Sequence, residues 1–211
     1  MLRIPATVSC NKNCECLDKK SARAPPSGAK SVINPMKHIF KVTNQWEVPD
    51  GTLVAPFMNP FDSNSSTPLE NLRDISIAEG NIGSFVQSKI QIMPYVNQIT
   101  YVLEGTVKII MKGPNDKGPY VLEICRNESI IAYKNEFLQL INETNENCKV
   151  LYIVSPAYVC EIENGDTVYD DAIVIDKSWN DLEIAKWKIE NEVFKITERE
   201  EAIKRICNRK K

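Results

Sequence analysis

The chain has 211 residues, of which 43% are hydrophobic, and its formal net charge is −2. This length predicts one domain with extensions, and the near-neutral charge gives no basic field of the kind that favours nucleic-acid binding. The sequence has no run of about 20 apolar residues, so we expect no membrane-spanning helix.

Residues 1–35 form a predicted extension. They contain "CNKNCEC" followed by "KKSARAPPSGAKS", a basic segment rich in Pro, Gly and Ser without apolar periodicity, so we expect disorder. Cys10, Cys14 and Cys16 lack a fourth nearby zinc ligand; a weak zinc clip or an acylation site is the alternative to a reduced tail. No apolar signal core follows Met1, so we expect an intracellular, cytoplasmic protein with reduced cysteines.

Residues 36–178 are predicted to form a β-domain. Its strand candidates are short, are rich in β-branched and aromatic residues, and are separated by turn residues. They are "ISIAEG", "SFVQSKIQIM", "QITYVLEG", "TVKIIMKG", "YVLEIC", "SIIAY", "EFLQLIN" and "KVLYIVS". No helical pattern separates them, so we expect an antiparallel barrel or sandwich rather than a parallel sheet. The later segment "NGDTVYDDAIVID" predicts a hairpin with an Asn-Gly turn.

Residues 179–211 change to helical periodicity. Apolar residues recur at three- and four-residue spacing, at Leu182, Ala185, Ile189, Val193 and Ile196. Thr197 followed by Glu200 matches a capping box, which predicts the start of a second helix. We expect two helices whose apolar stripes pack on the barrel or on a second subunit.

Two segments resemble the two sequence motifs of the cupin family. In the first, which ends with "QITYVLEG", Gln98 takes the place of the glutamate ligand, and Gln91 and Met93 take those of two histidines. In the second, "NESIIAYKNEFLQLIN", Leu138 takes the place of the remaining histidine and Asn142 that of the closing asparagine. The resemblance covers about residues 75–180. It implies an all-β fold, a jelly-roll-like antiparallel β-barrel of the cupin type, followed by the C-terminal helical tail.

The second motif also departs from the family at its glycines. Asn127 stands at the position of its first glycine and Asn135 at that of its second.

The residues at the ligand positions do not suit a metal. A cupin metal is held by three imidazoles and usually one carboxylate, whereas this chain offers two neutral amides, a thioether and an aliphatic side chain at those positions. The single histidine, His38, lies outside the motif region. We therefore expect no metal and no cofactor.

Strand alternation predicts a half-apolar ligand pocket in the barrel. Its predicted residues are Lys89, Gln91, Met93, Gln98, Thr100 and Leu138. A buried Lys89 would be a base or a Schiff-base amine, but a position at the barrel mouth in contact with water is favoured. Gln91 and Gln98, assigned to adjacent strands, either form a mutual or backbone hydrogen bond or recognise a polar ligand group; both interpretations remain open.

These features predict a degenerate cupin that binds a small molecule or has a structural role. One alternative is a cupin-type enzyme, an isomerase, lyase or dioxygenase acting on a small organic acid or sugar; the missing ligands argue against a metal-dependent enzyme, and no catalytic residue is assigned. Another is an interaction subunit that docks through its helical tail. The resemblance also implies a homodimer, because cupins commonly pair through barrel edges and an exposed edge strand needs covering.

Overall fold

The structure is a computed structural model that describes residues 45–61, 72–185 and 192–209, and for residues 183–185 and 192–196 it describes the backbone alone. The predictions for residues 1–35, for the three cysteines in that segment and for His38 lie outside the described residues. The same holds for the predicted apolar helix positions Ala185, Ile189, Val193 and Ile196, whose side chains are not among those described.

Thirteen strands and two helices follow one another in the described part of the chain. The strands are β1 (Trp46–Glu47), β2 (Leu53–Met58), β3 (Ser76–Ile82), β4 (Ile90–Ile92), β5 (Asn97–Glu104), β6 (Thr106–Lys112), β7 (Tyr120–Cys125), β8 (Ser129–Ala132), β9 (Phe137–Ile141), β10 (Cys148–Ser155), β11 (Cys160–Glu163), β12 (Asp166–Asp170) and β13 (Ile173–Ile175). The helices are α1 (Trp179–Ala185) and α2 (Glu192–Arg209).

The strands form two larger antiparallel sheets and a separate hairpin. The six-stranded sheet has the order β1-β2-β3-β10-β5-β8, and the five-stranded sheet has the order β13-β4-β9-β6-β7. Strands β11 and β12 pair only with each other. The predicted all-β, antiparallel fold with C-terminal helices is confirmed. None of the helices in the described residues is long and apolar enough to cross a membrane.

The core lies between the inner faces of the two larger sheets. It combines side chains from the six-stranded sheet, such as Val102 and Val150, with side chains from the five-stranded sheet, such as Ile109 and Leu140. Strand alternation decides which residues enter it: in β5, Gln98, Thr100 and Val102 are all buried, whereas Ile99 between them is 37% exposed. The sequence pattern predicted the inward face of this strand correctly.

Strand β4 is buried on both faces. Ile90 and Ile92 pack against Leu182 of α1 on the outer side of the five-stranded sheet, while Gln91 and Met93 face the opposite way. Of the predicted strand over residues 84–93, only β4 forms, because the chain turns at Phe85, whose φ is 57°. An apolar run that is covered on both sides loses the alternation that identifies a half-buried strand.

Helix α2 packs on the hairpin of its own chain. Ala202 and Ile206 of α2 are buried in a cluster with Ala157, Val159 and Tyr169. This confirms that an apolar stripe of the tail packs on the barrel domain.

The start of α2 differs from the prediction. The helix already begins at Glu192, so Thr197 and Glu200 lie inside it and the predicted capping-box start is wrong. A helix that is stabilised by tertiary packing, as α2 is at Ala202 and Ile206, can continue through a local start signal.

The turns of the cupin-like motifs keep their backbone geometry. Asn127 and Asn135, which stand at glycine positions of the second motif, have φ values of 71° and 68°. Asparagine is one of the few non-glycine residues that adopts this left-handed conformation readily. The predicted Asn-Gly turn between β11 and β12 is also confirmed, since Asn164 and Gly165 have φ values of 53° and 91°.

Candidate functional site

A cavity of about 120 Å³ opens at one end of the barrel. Its walls are mostly apolar and come from strands of both larger sheets, from the turn between β1 and β2, and from the β11–β12 hairpin. The cavity lining includes several polar and aromatic residues, among them Trp46, Asp50, Gln91, Gln98, Tyr152, Tyr158 and Asp170. A concave, largely apolar cavity with a few convergent polar groups is the usual form of a small-molecule site.

Gln91 lines this cavity from β4. Its side chain belongs to a residue that is only 8% exposed, and its amide has no hydrogen-bond partner among the described residues. This amide is not among the fully buried polar groups that lack a partner in the described residues, so it stays accessible from the cavity. The amide is therefore available to a polar group that enters the cavity.

Gln98 lines the cavity from β5 and is 6% exposed. Its Nε2 donates a long hydrogen bond of 3.4 Å to Thr100 Oγ1. Within the part of the chain that the structure describes, no hydrogen bond joins Gln98 to Gln91, so the mutual bond considered from the sequence is not formed. The cavity wall thus carries two amide groups that make at most one long hydrogen bond within the described residues.

The sequence predicted that the two glutamines lie on adjacent strands, and this prediction is wrong. Gln91 is in the five-stranded sheet, paired with Leu138 of β9, whereas Gln98 is in the six-stranded sheet, paired with Ala132 and Val154. The reason is that the residues between β4 and β5 carry the chain from one sheet to the other rather than closing a hairpin. The two amides therefore face the cavity from opposite walls.

Three of the six predicted pocket residues lie outside this cavity. Lys89 precedes the first residue of β4, and its side chain is 53% exposed and 3.8 Å from Asp176. Thr100 and Leu138 are fully buried in the barrel core but do not line the cavity. Gln91, Met93 and Gln98 are the predicted residues that the structure brings together there.

The carboxylate of Asp50 is a cavity group that sequence reasoning missed. Asp50 lies in the turn between β1 and β2 and is 5% exposed. It accepts hydrogen bonds from the backbone N of Thr52 at 2.9 Å and from its Oγ1 at 2.8 Å. Burial raises the pKa of Asp50, and the two hydrogen bonds from Thr52 offset part of that rise.

Asp170, at the end of β12, is a second missed carboxylate. It accepts hydrogen bonds from the hydroxyl of Tyr158 and from the backbone N of Ala172 at 2.9 Å. Burial raises the pKa of Asp170 to about 6, against the opposing effect of these hydrogen bonds. The sequence held one usable signal, the pair of neighbouring carboxylates Asp170 and Asp171 at the end of β12.

Neither cavity carboxylate has a cationic partner within the part of the chain that the structure describes. In the described residues, no Lys, Arg or His forms an ion pair with Asp50 or Asp170, and no described residue that lines the cavity is basic. The cavity therefore combines two partly or fully desolvated carboxyl groups with two amides that make at most one long hydrogen bond within the described residues. A carboxyl group with a pKa near 6 can also exchange a proton with a bound molecule at neutral pH.

The residues at the cupin ligand positions do not fit a divalent metal. Gln91 and Gln98 supply neutral amide oxygens, Met93 supplies a thioether, and Leu138 has no donor atom. Among the residues that the structure describes, no group of three or more His, Cys, Asp or Glu side chains could hold a metal ion.

The fold resembles solved structures at low sequence identity. Peruvianin-I, a cysteine peptidase from Thevetia peruviana latex, matches at a TM-score of 0.51 and 11% identity, over 75% of this chain and 89% of that one. Oxalate decarboxylase from Lactobacillus farciminis matches at 0.46 and 11%, over 63% and 33%. The CENP-C cumin domain from Drosophila melanogaster matches at 0.45 and 11%, over 63% and 87%.

These likenesses concern the fold alone. Cupin and double-stranded β-helix domains recur among the structural matches, at TM-scores of 0.41 and 0.36. No protein-family model and no curated protein sequence matches the chain.

Proposed function

We propose that this cupin-fold chain is a small-molecule-binding protein whose barrel cavity takes its ligand without a metal. The observation that carries the proposal is the side-chain amide of Gln91, which lines the wall of the cavity and has no hydrogen-bond partner among the described residues. Gln98, with only a long hydrogen bond, supports it from the opposite wall. A ligand that brings hydrogen-bond donors and acceptors to both amides would restore what burial has removed.

The size of the cavity limits the ligand. A cavity of about 120 Å³ is somewhat smaller than the roughly 150 Å³ engineered cavity that holds one benzene molecule. The ligand is thus a compact molecule, or the recognised end of a longer one. Mostly apolar walls favour a molecule with a hydrocarbon part beside its polar group.

Thermal melts with a metabolite panel test this proposal. A ligand should raise the melting temperature of the wild-type protein, because it binds the folded state alone, and Gln91→Leu should remove most of that rise. Gln87→Leu, an exposed glutamine outside the cavity, is the matched control and should keep it. If Gln91→Leu and Gln87→Leu respond alike to each stabilising compound, the cavity is not the binding site.

Elemental analysis of untagged protein tests the absence of a metal separately. Far less than one Fe, Mn, Zn, Ni or Cu per chain is expected. A near-stoichiometric metal that is lost on Gln98→Ala would overturn this part of the proposal.

A second candidate function is a metal-independent isomerase or lyase. It is favoured by Asp170, whose pKa of about 6 suits proton transfer at neutral pH and which shares the cavity with the Tyr158 hydroxyl. The rate of such an activity should change with pH around an apparent pKa near 6, as Asp170 gains or loses its proton. Activity that survives unchanged in Asp170→Asn would exclude this role for the carboxyl group.

We also propose a homodimer that forms through the edge strand β7. Tyr120, Val121 and Leu122 are 40%, 61% and 38% exposed at the edge of the five-stranded sheet. An apolar edge strand is a template for pairing with another strand. Light scattering should show a dimer that Val121→Lys dissociates, while Val168→Lys on the exposed hairpin face should not; a wild-type monomer at high concentration would contradict the proposal.

Docking of a partner through the helical tail has less support. The described apolar side chains Ala202 and Ile206 of α2 are buried against their own chain. A partner would have to displace this contact before it could use that face of the helix.

A further inference from the structure

We infer that the ligand of the barrel cavity is an organic cation, whose positive charge lies between the carboxylates of Asp50 and Asp170. This inference rests on the proposed function, because it requires that the cavity be a binding site. It adds the chemical class of the ligand, which the two glutamine amides alone do not determine.

The first observation is that the carboxylates of Asp50 and Asp170 have no positively charged partner among the described residues. Asp50 is 5% exposed, and Asp170 is partly buried beside Tyr158. Both line the same cavity, and among the described residues neither has an ion-pair partner. Desolvated carboxylates are unfavourable unless a positive charge or several hydrogen bonds compensate them. For this purpose Asp50 has the two hydrogen bonds from Thr52, and Asp170 has hydrogen bonds from Tyr158, Cys160 and Ala172 but no positive charge among the described residues.

The same chain compensates its other buried carboxylates with arginine. The side chain of Asp171 is fully buried and is bound by Arg199 at 2.8 and 3.1 Å. Glu161, 1% exposed, is bound by Arg205 and Arg209 at 2.7 Å. The cavity carboxylates differ from these two in having an open volume, rather than a guanidinium, beside them. The open volume is where a ligand's cation would stand.

The aromatic lining is an independent observation with the same implication. Trp46, Tyr152 and Tyr158 all contribute to the cavity wall. The faces of aromatic rings attract cations, and quaternary ammonium groups are recognised in this way. The unpartnered amide oxygen of Gln91 offers a further acceptor in the same cavity. Carboxylates, aromatic rings and an amide oxygen can all interact favourably with a positive charge.

An anionic ligand is disfavoured by the same groups. A carboxylate ligand would stand beside two like charges in a partly desolvated site, where repulsion is stronger than in water. The small organic acids considered from the sequence therefore fit the cavity less well than amines of similar size.

Three probes of nearly equal shape isolate the effect of charge. They are choline, its neutral carbon isostere 3,3-dimethylbutan-1-ol, and the anion 3,3-dimethylbutanoate, each titrated at millimolar concentrations by calorimetry into the full-length protein. Choline should bind at least about tenfold more tightly than the neutral alcohol, since a desolvated cation–π and carboxylate contact exceeds an exposed one. The anion should show no binding.

Charge-neutralising variants assign the effect to the two carboxylates. In the double variant Asp50→Asn/Asp170→Asn, the ratio of the choline and alcohol dissociation constants should fall to near one. Both changes keep the shape of the side chain and remove an unfavourable buried charge, so the variant should fold, which circular dichroism checks. Asp166→Asn, an exposed carboxylate in the same strand as Asp170, is the control and should keep the wild-type ratio.

The outcomes separate this inference from the proposed function. Equal affinity for choline and the alcohol, or a preference that persists in the double variant, overturns the cation assignment and leaves the cavity as a binding site. Failure of choline to bind also overturns it. The proposed function fails on a different result, namely that no compound of any charge stabilises the wild type more than Gln91→Leu.

Discussion

Asp170 and Asp171 are neighbours in the sequence, yet they lie in opposite surroundings. Asp171 faces α2, where Arg199, the hydroxyl of Tyr169 and the backbone N of Val159 all bind its carboxylate. Asp170 faces the cavity, where the structure describes no cation beside it. Two neighbouring carboxylates thus have different surroundings, because Asp170 ends β12 beside the cavity and Asp171, which follows it, meets Arg199 of α2.

The difference separates groups that hold the fold from groups that are available for binding. A buried ion pair roughly balances its desolvation cost, but removal of one partner leaves a buried charge that is strongly destabilising. A carboxylate beside an open cavity has no such partner to lose, and it weakens the fold whenever it is ionised. A substitution of Arg199, the partner of Asp171, and a substitution of Asp170 beside the cavity should therefore change the free energy of unfolding in opposite directions.

The largest effect is expected on the α2 side. Arg199→Met should lower the free energy of unfolding by about 3–5 kcal/mol, because it leaves Asp171 buried without its counter-charge. Chemical denaturation measures the change, and Lys204→Met on the exposed side of the same helix is the control. A loss below about 1 kcal/mol would mean that the ion pair contributes no more than a surface pair.

A smaller, pH-dependent effect of opposite sign is expected for Asp170. Its pKa rises from 3.8 to about 6 on folding, so its contribution to stability is complete below pH 3.8 and is lost as the pH rises through about 6. Asp170→Asn cannot ionise and should avoid this loss. In ligand-free protein it should exceed the wild type by about 1–2 kcal/mol above pH 7 and match it near pH 4, since partial exposure screens part of the cost.

The groups around Asp170 do not reverse this sign. Tyr158 and Cys160 face it with donors, and Asp171 is a like charge that Arg199 already neutralises. Melting curves of wild type, Asp170→Asn and the control Asp166→Asn between pH 4 and 8 test the predicted pH dependence of the stability difference. A stability advantage for Asp170→Asn that grows toward low pH would refute the assignment of the raised pKa.

The smallest effects are expected for the two glutamines. Gln91→Leu should change the free energy of unfolding by less than about 0.5 kcal/mol or raise it, because it removes an amide without a partner. Gln98→Leu should cost about 0.5–1.5 kcal/mol through the lost bond to Thr100. Since no hydrogen bond joins the two side chains, the double variant should be additive within about 0.5 kcal/mol; strong coupling would show that the amides do meet.

Local patterns in the sequence were sufficient for most of the architecture. The inward face of β5, the Asn-Gly hairpin and the left-handed turns at Asn127 and Asn135 follow from two-residue alternation and turn chemistry. The cupin resemblance also placed Gln91, Met93 and Gln98 at the cavity wall. Strand prediction failed at β1 and β2, which were not among the candidates, and over residues 84–93, of which only β4, covered by α1, forms a strand.

The composition of the cavity depended on contacts that no local pattern encodes. Asp50 enters it from the turn between β1 and β2, and Asp170 enters from a hairpin far along the chain. Which of Asp170 and Asp171 meets α2 depends on how the hairpin packs, and the sheet that holds Gln91 depends on the course of the chain between β4 and β5.

The sequence by itself therefore determined most of the strands, the turns and the residue types that stand at the cupin ligand positions. The tertiary structure decided which carboxylates are paired with arginine and which face the cavity. The physical reason is range: backbone preference and alternation act over a few residues, whereas burial and charge compensation depend on groups that only the folded chain brings together.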